Sequence, residues 1–205
     1  MAGLRERQKA DRTRRILQAA STLFRDRGYG AIRIDDIAHA AEVSVGTLYN
    51  YFATKGDLLL AIVSMEVEEV LDSGKALVAN PPTDPAQALS QLIGIYYDHS
   101  LYYLSKEMWR TAMAISIEAP DTPFSARYTE LDGMLAAQVR DLIIGMQRRG
   151  YARACVDPAA MGQVIFNNLN QMFIEFVKQD DMTMAALHAA TDRQNAILAE
   201  MLSSR

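Results

Sequence analysis

"VSVGTLYNYFATKGDLL", residues 43–59, places Thr47, Tyr49, Asn50 and Tyr51 within one and a half helical turns and Lys55 at the start of the next helix. At 100° per residue, Leu48 and Phe52 fall together as a narrow apolar stripe. Thr47, Asn50 and Tyr51 gather on the opposite arc, with Gly46 and Tyr49 on its flank. Just upstream, a short helix near 35–41 has Ile37, Ala38 and Ala41 as its buried side, and "EVSV" (42–45) makes the turn, with Val43 filling the angle. Two short helices, a tight turn and a polar second helix describe a helix-turn-helix. A helix of an ordinary bundle would bury more than two of its side chains.

The inventory of that second helix suits duplex DNA. It lacks the Arg and Lys that usually read guanine edges. Thr47 and Tyr51 hydroxyls can donate to phosphate oxygens, which sets register. Asn50 can pair with adenine N6 and N7, Tyr49 can touch a thymine methyl or a base edge, and Gly46 lets the backbone approach closely. Thr54 is the expected N-cap of the next helix, with Asp57 three residues on. Lys55 then stands in a first turn, where the helix dipole disfavours a cation unless a phosphate binds there. On this reading Lys55→Ala weakens all DNA alike and lowers the salt slope by about 1, whereas Asn50→Ala relaxes sequence choice.

The rest of the chain frames this segment. Of 205 residues, 50% are hydrophobic and 22% charged, the balance of a folded protein. The net charge of −4 is unevenly spread: residues 1–56 hold ten Lys/Arg against six Asp/Glu, and the other 149 residues hold 11 against 19. A basic head on an acidic body implies that only the head meets a polyanion. The basic start "MAGLRERQKADRTRR" leads into no apolar signal core, and no apolar run is long enough to span a bilayer. With the single Cys155 excluding an internal disulfide, these features predict a cytoplasmic protein with no membrane partner.

Helical periodicity runs almost throughout, with Gly and Pro as punctuation. Helices are expected at about 9–27, 35–41, 46–52 and 55–77, then after Asp84-Pro85, over 105–118, 123–150, from Pro158 to about 178, and over 183–203. Nine helices with short connections predict an all-α protein. Glu42 sits in the turn, at a cost in strain if its φ is positive.

Residues 16–62, "ILQAASTLFRDRGYGAIRIDDIAHAAEVSVGTLYNYFATKGDLLLAI", resemble the DNA-binding region of the TetR/AcrR family of transcriptional regulators. The motifs carrying the likeness are "LFRDRGY", "DDIAHAAEVS", "GTLYNYF" and the Lys55–Leu58–Leu59 series. The resemblance implies a dimeric repressor with a helix-turn-helix domain over 1–54 and a ligand-binding and dimerisation domain over 55–205. It implies phosphate contacts at Thr47, Tyr51 and Lys55, base reading at Val45, Gly46, Tyr49 and Asn50, and Ser44 within the same surface. Arg33 stands where the family often has Thr, so a charged phosphate contact replaces a hydroxyl one. Glu42 stands where the family's turn often has Gly.

The acidic body is rich in aromatic and methionine side chains, which line adaptable, mostly apolar cavities. The candidate effector site is Tyr96, Met108, Trp109, Met113, Tyr128, Phe166 and Asn170. Family resemblance also implies a four-helix dimer interface from the last two helices, with Met161, Ile165, Asn168, Met172 and Phe176 on one and Leu187, Leu198 and Leu202 on the other. An effector would shift the fourth helix, and a coupling of about 3 kcal/mol would change operator affinity roughly 150-fold. No cofactor is expected. A helical-bundle enzyme is a competing reading, but His39, His99 and His188 show no metal-ligand spacing, and His188 with Asp192 reads as a solvated pair. A DNA-binding protein answering to a protein partner is the other.

Overall fold

The computed structural model describes residues 2–203, and nine helices stand among them in the order α1 (Ala2–Arg27), α2 (Ile34–Ala40), α3 (Val45–Tyr49), α4 (Lys55–Ala79), α5 (Pro85–His99), α6 (Lys106–Glu118), α7 (Pro123–Arg148), α8 (Pro158–Lys178) and α9 (Met184–Leu202). The only β pairing in the described residues is an isolated bridge between Ala152 and Ser203. The all-α expectation holds. Its one sizeable error of extent is α1, which begins at Ala2 rather than near residue 9.

Local chemistry sets the starts. Asp84 and Asp157 accept from Ala86 N and Ala159 N, each with proline at the next position. Ser105 and Thr183 cap α6 and α9 in the same way, relieving N–H groups that the first turn leaves unpaired. Gly28 (φ 84) and Gly150 (φ 74) end α1 and follow α7 in the left-handed region.

The chain forms two compact units. The first comprises Met1–Met65 and Tyr102–Tyr128. Its core is built on Ile16, Ala20 and Phe24 of α1, Ile37 of α2, Leu48 of α3 and Leu58, Leu59 and Ile62 of α4, with Met108 and Ala112 of α6. The Ser21 hydroxyl donates to Tyr103 O at 2.6 Å, and Tyr29 N donates to Glu107 Oε1 at 3.2 Å, tying α1 and its exit loop to α6 and the residues before it.

The second unit comprises Glu66–Leu101 and Thr129–Arg205. There α9 packs against α5 and α8. The Tyr97 hydroxyl donates to Leu169 O at 2.7 Å, and the ring stacks on Phe173 at 6.0 Å. Helices α7 and α8 cross closely at Gly162, where a Cβ would come within 2.9 Å of the Arg140 backbone. This division by packing cuts the chain elsewhere than the functional boundary expected at 54/55, because α4 is one continuous helix whose residues belong to both units.

Candidate nucleic-acid interface

The helix-turn-helix is assembled by backbone and short side chains. Arg33 precedes α2, and its N–H donates to Asp36 Oδ2 at 2.9 Å. The turn closes when Val43 N reaches back to Ala38 O at 2.9 Å. That geometry places Glu42 at φ 54, a left-handed conformation that costs a β-carbon residue about 1 kcal/mol. Ser44 caps α3: its Oγ accepts from Thr47 N at 3.0 Å and lies 2.7 Å from Thr47 Oγ1. The Ser44 and Thr47 hydroxyls therefore first fix the start of α3, and the Thr47 proton is free to donate elsewhere when Ser44 is the donor between the two oxygens.

Leu48 is fully buried and keys α3 into the core. Around it, Tyr49 is 51% exposed and Val45 37% exposed. Gly46 and Asn50 are exposed, and Thr47 and Tyr51 are half-buried. No atom of the chain lies within 4 Å of where a Gly46 Cβ would stand, so nothing inside the protein requires glycine there. The helix thus presents an open, side-chain-poor spot flanked by Tyr49 and Asn50.

Lys55 has partners within the chain. The expected capping box forms, with Thr54 N donating to Asp57 Oδ2 at 2.8 Å and Asp57 N to Thr54 Oγ1 at 3.1 Å. The Lys55 ammonium, however, turns back into the chain. It donates to Tyr29 O at 2.8 Å and Ile32 O at 3.2 Å, stands 3.5 Å from Gly30 O, and lies 4.4 Å from the Tyr29 ring centroid. Carbonyl oxygens at the α1–α2 loop resolve the electrostatic misfit of a cation in a first turn, the role that sequence reasoning had assigned to a phosphate. Tyr29 is itself partly buried, and that burial, with Asp57 nearby, pushes its phenol above the usual range.

The candidate effector residues divide between the units, and each set is described within its own. In the first unit Met108, Trp109 and Tyr128 are buried, Met113 is half-buried, and Tyr128 stacks on Phe124 at 6.5 Å. In the second, Tyr96 and Phe166 are buried and Asn170 is half-buried. The Tyr96 hydroxyl donates to Gln138 Oε1 at 2.8 Å, and burial pushes its phenol far up.

The expected dimer residues are covered to different degrees within the protomer. Ile165, Leu187 and Leu202 are fully buried by the protomer's own helices, Phe176 and Met161 nearly so, and Met172 and Leu198 are half-covered. Asn168 donates to Asn195 Oδ1 at 3.2 Å inside the α8–α9 pair. A side chain with no free surface has none to offer a second copy. The exposed apolar positions on these helices are Val164 (50%), Ile197 (64%) and Met201 (53%). Likewise His188 pairs with Asp98 at 2.7 Å rather than with Asp192. Cys155 is exposed, and among the described residues no three His, Cys, Asp or Glu side chains converge to hold a metal. No described helix is long and apolar enough to cross a membrane.

Residues 16–62 match the profile of bacterial regulatory proteins, tetR family. The chain is 31% identical over 147 residues to the HTH-type transcriptional repressor KstR of Rhodococcus jostii, covering 72% of this chain and 61% of that one. It is 36% identical over 88 residues to the HTH-type transcriptional activator FasR of Mycolicibacterium smegmatis, covering 43% and 40%. The chain thus spans less than two thirds of the length of these curated relatives. Among solved structures, Thermus thermophilus FadR, a TetR-family repressor in complex with lauroyl-CoA, shares the fold with a TM-score of 0.69 at 22% identity, over 94% of this chain and 96% of that one. Sequence motif and helix-turn-helix geometry agree over residues 16–62, and that segment is a DNA-binding domain of the tetR family of bacterial regulatory proteins.

Proposed function

We propose that the protein is a transcriptional repressor that binds a pseudo-palindromic DNA operator as a homodimer and is released by a small, mostly apolar or aromatic effector. The observation that carries this reading is the exposed surface of α3, with Val45, Gly46, Tyr49 and Asn50 presented around the buried Leu48. Val45, Gly46, Tyr49 and Asn50 face base edges, and Thr47, Tyr51 and Arg33 face phosphates. Lys55 acts as a positioning residue that holds the α1–α2 loop against the first turn of α4.

Two copies place their α3 helices in successive major grooves, about 34–36 Å apart. Val164, Ile197 and Met201 supply the apolar contacts between copies in this reading. The effector acts through α4, whose residues are shared between the two units. Tyr96, Met108, Trp109, Met113, Tyr128, Phe166 and Asn170 remain its proposed contacts, the phenol, indole and amide tips orienting its polar groups.

Selection of duplexes from a random pool by purified protein, at a stated salt concentration, tests the core of this reading. Recovery of an inverted repeat is expected, and Asn50→Ala should lose about 1–3 kcal/mol of discrimination at one base pair while keeping the salt slope. Recovery of no sequence by well-folded protein would sink it. The selected operator then serves to screen effectors, with acyl-CoA thioesters beside aromatic compounds, since a protein of the same fold was solved with lauroyl-CoA.

A further inference from the structure

Helix α7 carries a charged residue in the middle of its apolar face. Counted at 100° per residue, Leu131, Leu135, Ala136, Val139, Leu142 and Ile143 form one continuous arc, and Asp132 falls within about 30° of its middle. Val139, Leu142 and Ile143 have no exposed surface, and Leu131 has almost none. Asp132 and Leu135 are only half-buried, so the face opens where they stand.

Contacts within the second unit fix what lies on each edge of that arc. On one edge Gln138 Nε2 donates to Leu71 O of α4 at 2.7 Å, and Gln138 Oε1 accepts from the Tyr96 hydroxyl of α5 at 2.8 Å. On the other edge, the Arg140 backbone stands 2.9 Å from where a Gly162 Cβ of α8 would be. Asp132 therefore points into the space between α4 and α5 on one side and α8 on the other. Gln147 Nε2 donates to Val156 O at 2.7 Å, beside the start of α8, so α7 and α8 run antiparallel. Asp132, about two turns before Arg140, then lies level with Asn170, about two turns beyond Gly162. Asn170 is half-buried and sits one turn from the buried Phe166.

A carboxylate in such a place needs a partner, and among the described residues no hydrogen bond or ion pair reaches Asp132. Arg140, at the edge of the same face, is turned to Asp141 at 2.9 Å. Burial pushes the Asp132 carboxyl up to about 6, so at neutral pH it is still ionised, at a cost to the fold. A neutral side chain of similar size would be more stable there. What the carboxylate meets, rather than what it packs against, accounts for its presence.

Resting on the effector reading above, we propose that Asp132 is the counter-ion for a cationic head group on the effector, an amine or quaternary ammonium carried on an apolar body. The body lies against Leu135 and Phe166, and the Asn170 amide stands level with the head. The pairing selects by charge. A cation gains a partner where water is partly excluded, a neutral analogue gains only the apolar contact, and an anion is repelled.

The test titrates the full chain calorimetrically, without DNA and at pH 8, with decyltrimethylammonium, decanol and decanoate, which share an apolar tail. Decyltrimethylammonium is expected to bind about 10-fold more tightly than decanol, and decanoate more weakly than either. Asp132→Asn removes the charge and keeps the shape. It loses about 10-fold for the ammonium and leaves decanol unchanged. Added to the complex with the duplex recovered by selection, the ammonium releases the unaltered protein at about 10-fold lower concentration than it releases the variant.

An ammonium that binds no more tightly than decanol overturns the proposal. So does a variant that weakens ammonium and decanol alike, since the effect would then be on shape, and so does one that weakens neither. A protein that selects no duplex yet binds the ammonium through Asp132 loses the repressor reading and keeps the site, so the two failures are separate.

Discussion

Replacing Lys55 with methionine separates two jobs that a lysine at this position could do. The methionine keeps the length of the stem and removes the charge. What is lost inside the protein is a donor to Tyr29 O at 2.8 Å and Ile32 O at 3.2 Å, and an ammonium over the Tyr29 ring at 4.4 Å. Hydrogen bonds from a charged donor are worth about 1.5–3 kcal/mol each when desolvated. Here Lys55 is half-buried and the freed carbonyls regain water, so the whole set is worth about 2 kcal/mol. For a chain of this length that is a drop of about 4–8 °C in thermal midpoint. Operator affinity falls with the loosened loop, but the salt slope does not change, because no phosphate contact was removed. Lys55→Arg sharpens the contrast: it keeps the charge, yet a planar fork does not converge on the same carbonyls. Thermal melting and operator titrations from 50 to 200 mM salt read both outcomes. If Lys55→Met lowers the slope by about 0.9 while leaving the midpoint unmoved, and Lys55→Arg behaves as unaltered protein, the ammonium binds phosphate and the positioning argument is refuted.

Glu42→Gly relieves the positive φ of 54 and should stabilise the protein by at most about 0.5 kcal/mol after the entropy of glycine is subtracted, measured by urea unfolding. The Arg15–Glu42 pair it removes is 3.9 Å long and mostly exposed, so its loss is worth close to nothing. Gly74→Ala sets a Cβ 2.6 Å from Gln138 Oε1 and displaces an amide that accepts from Tyr96 and donates to Leu71 O. It should cost up to about 1 kcal/mol alone and stabilise by about 0.5–1 kcal/mol in a Gln138→Ala background, where only the helix propensity of alanine remains, a coupling that a double-mutant cycle detects. Asp132 is pushed up to about 6 by burial, from an ordinary value of 3.8. A carboxyl raised in the folded state binds its proton more tightly there, so stability falls as pH rises from about 4 through about 6 and is level above. Asp132→Asn should therefore match the unaltered protein at pH 4 and exceed it by about 2 kcal/mol at pH 8, and a gain that does not depend on pH would contradict the burial argument.

What could be read from residues alone was what depends on neighbours in the chain. The helix-turn-helix, the Thr54–Asp57 capping box and the Glu42 strain all follow from residues within a few positions of each other. The intrachain partners of Lys55 are not legible in the sequence, because they are backbone carbonyls 23 and 26 residues away, and a carbonyl leaves no mark in a sequence. The stripe on α8 and α9 is ambiguous for a related reason. Helical spacing tells which face is apolar, but not whether the cover comes from the same chain or from a second copy. Ile165 and Leu187 are covered from within, while Val164, one position away from Ile165, stands half exposed. His188 pairing with Asp98 rather than the nearby Asp192 repeats the lesson across 90 residues.

These contacts share a logic that bears on how an effector could act. Helix α4 is held by nitrogen donors that reach backbone carbonyls near both of its ends. At its first turn Lys55 reaches out to Tyr29 O and Ile32 O. Toward its last turns Gln138 Nε2 donates to Leu71 O at 2.7 Å and Arg149 Nη2 to Ala79 O at 2.6 Å. Each such bond is worth about 1 kcal/mol net for an amide donor and somewhat more for a guanidinium. Together they match the roughly 3 kcal/mol needed to change operator affinity about 150-fold. A ligand shifts a conformational equilibrium only by its difference in affinity between the two states. An effector acting through α4 would therefore have to bind more tightly to the state in which these ties are exchanged.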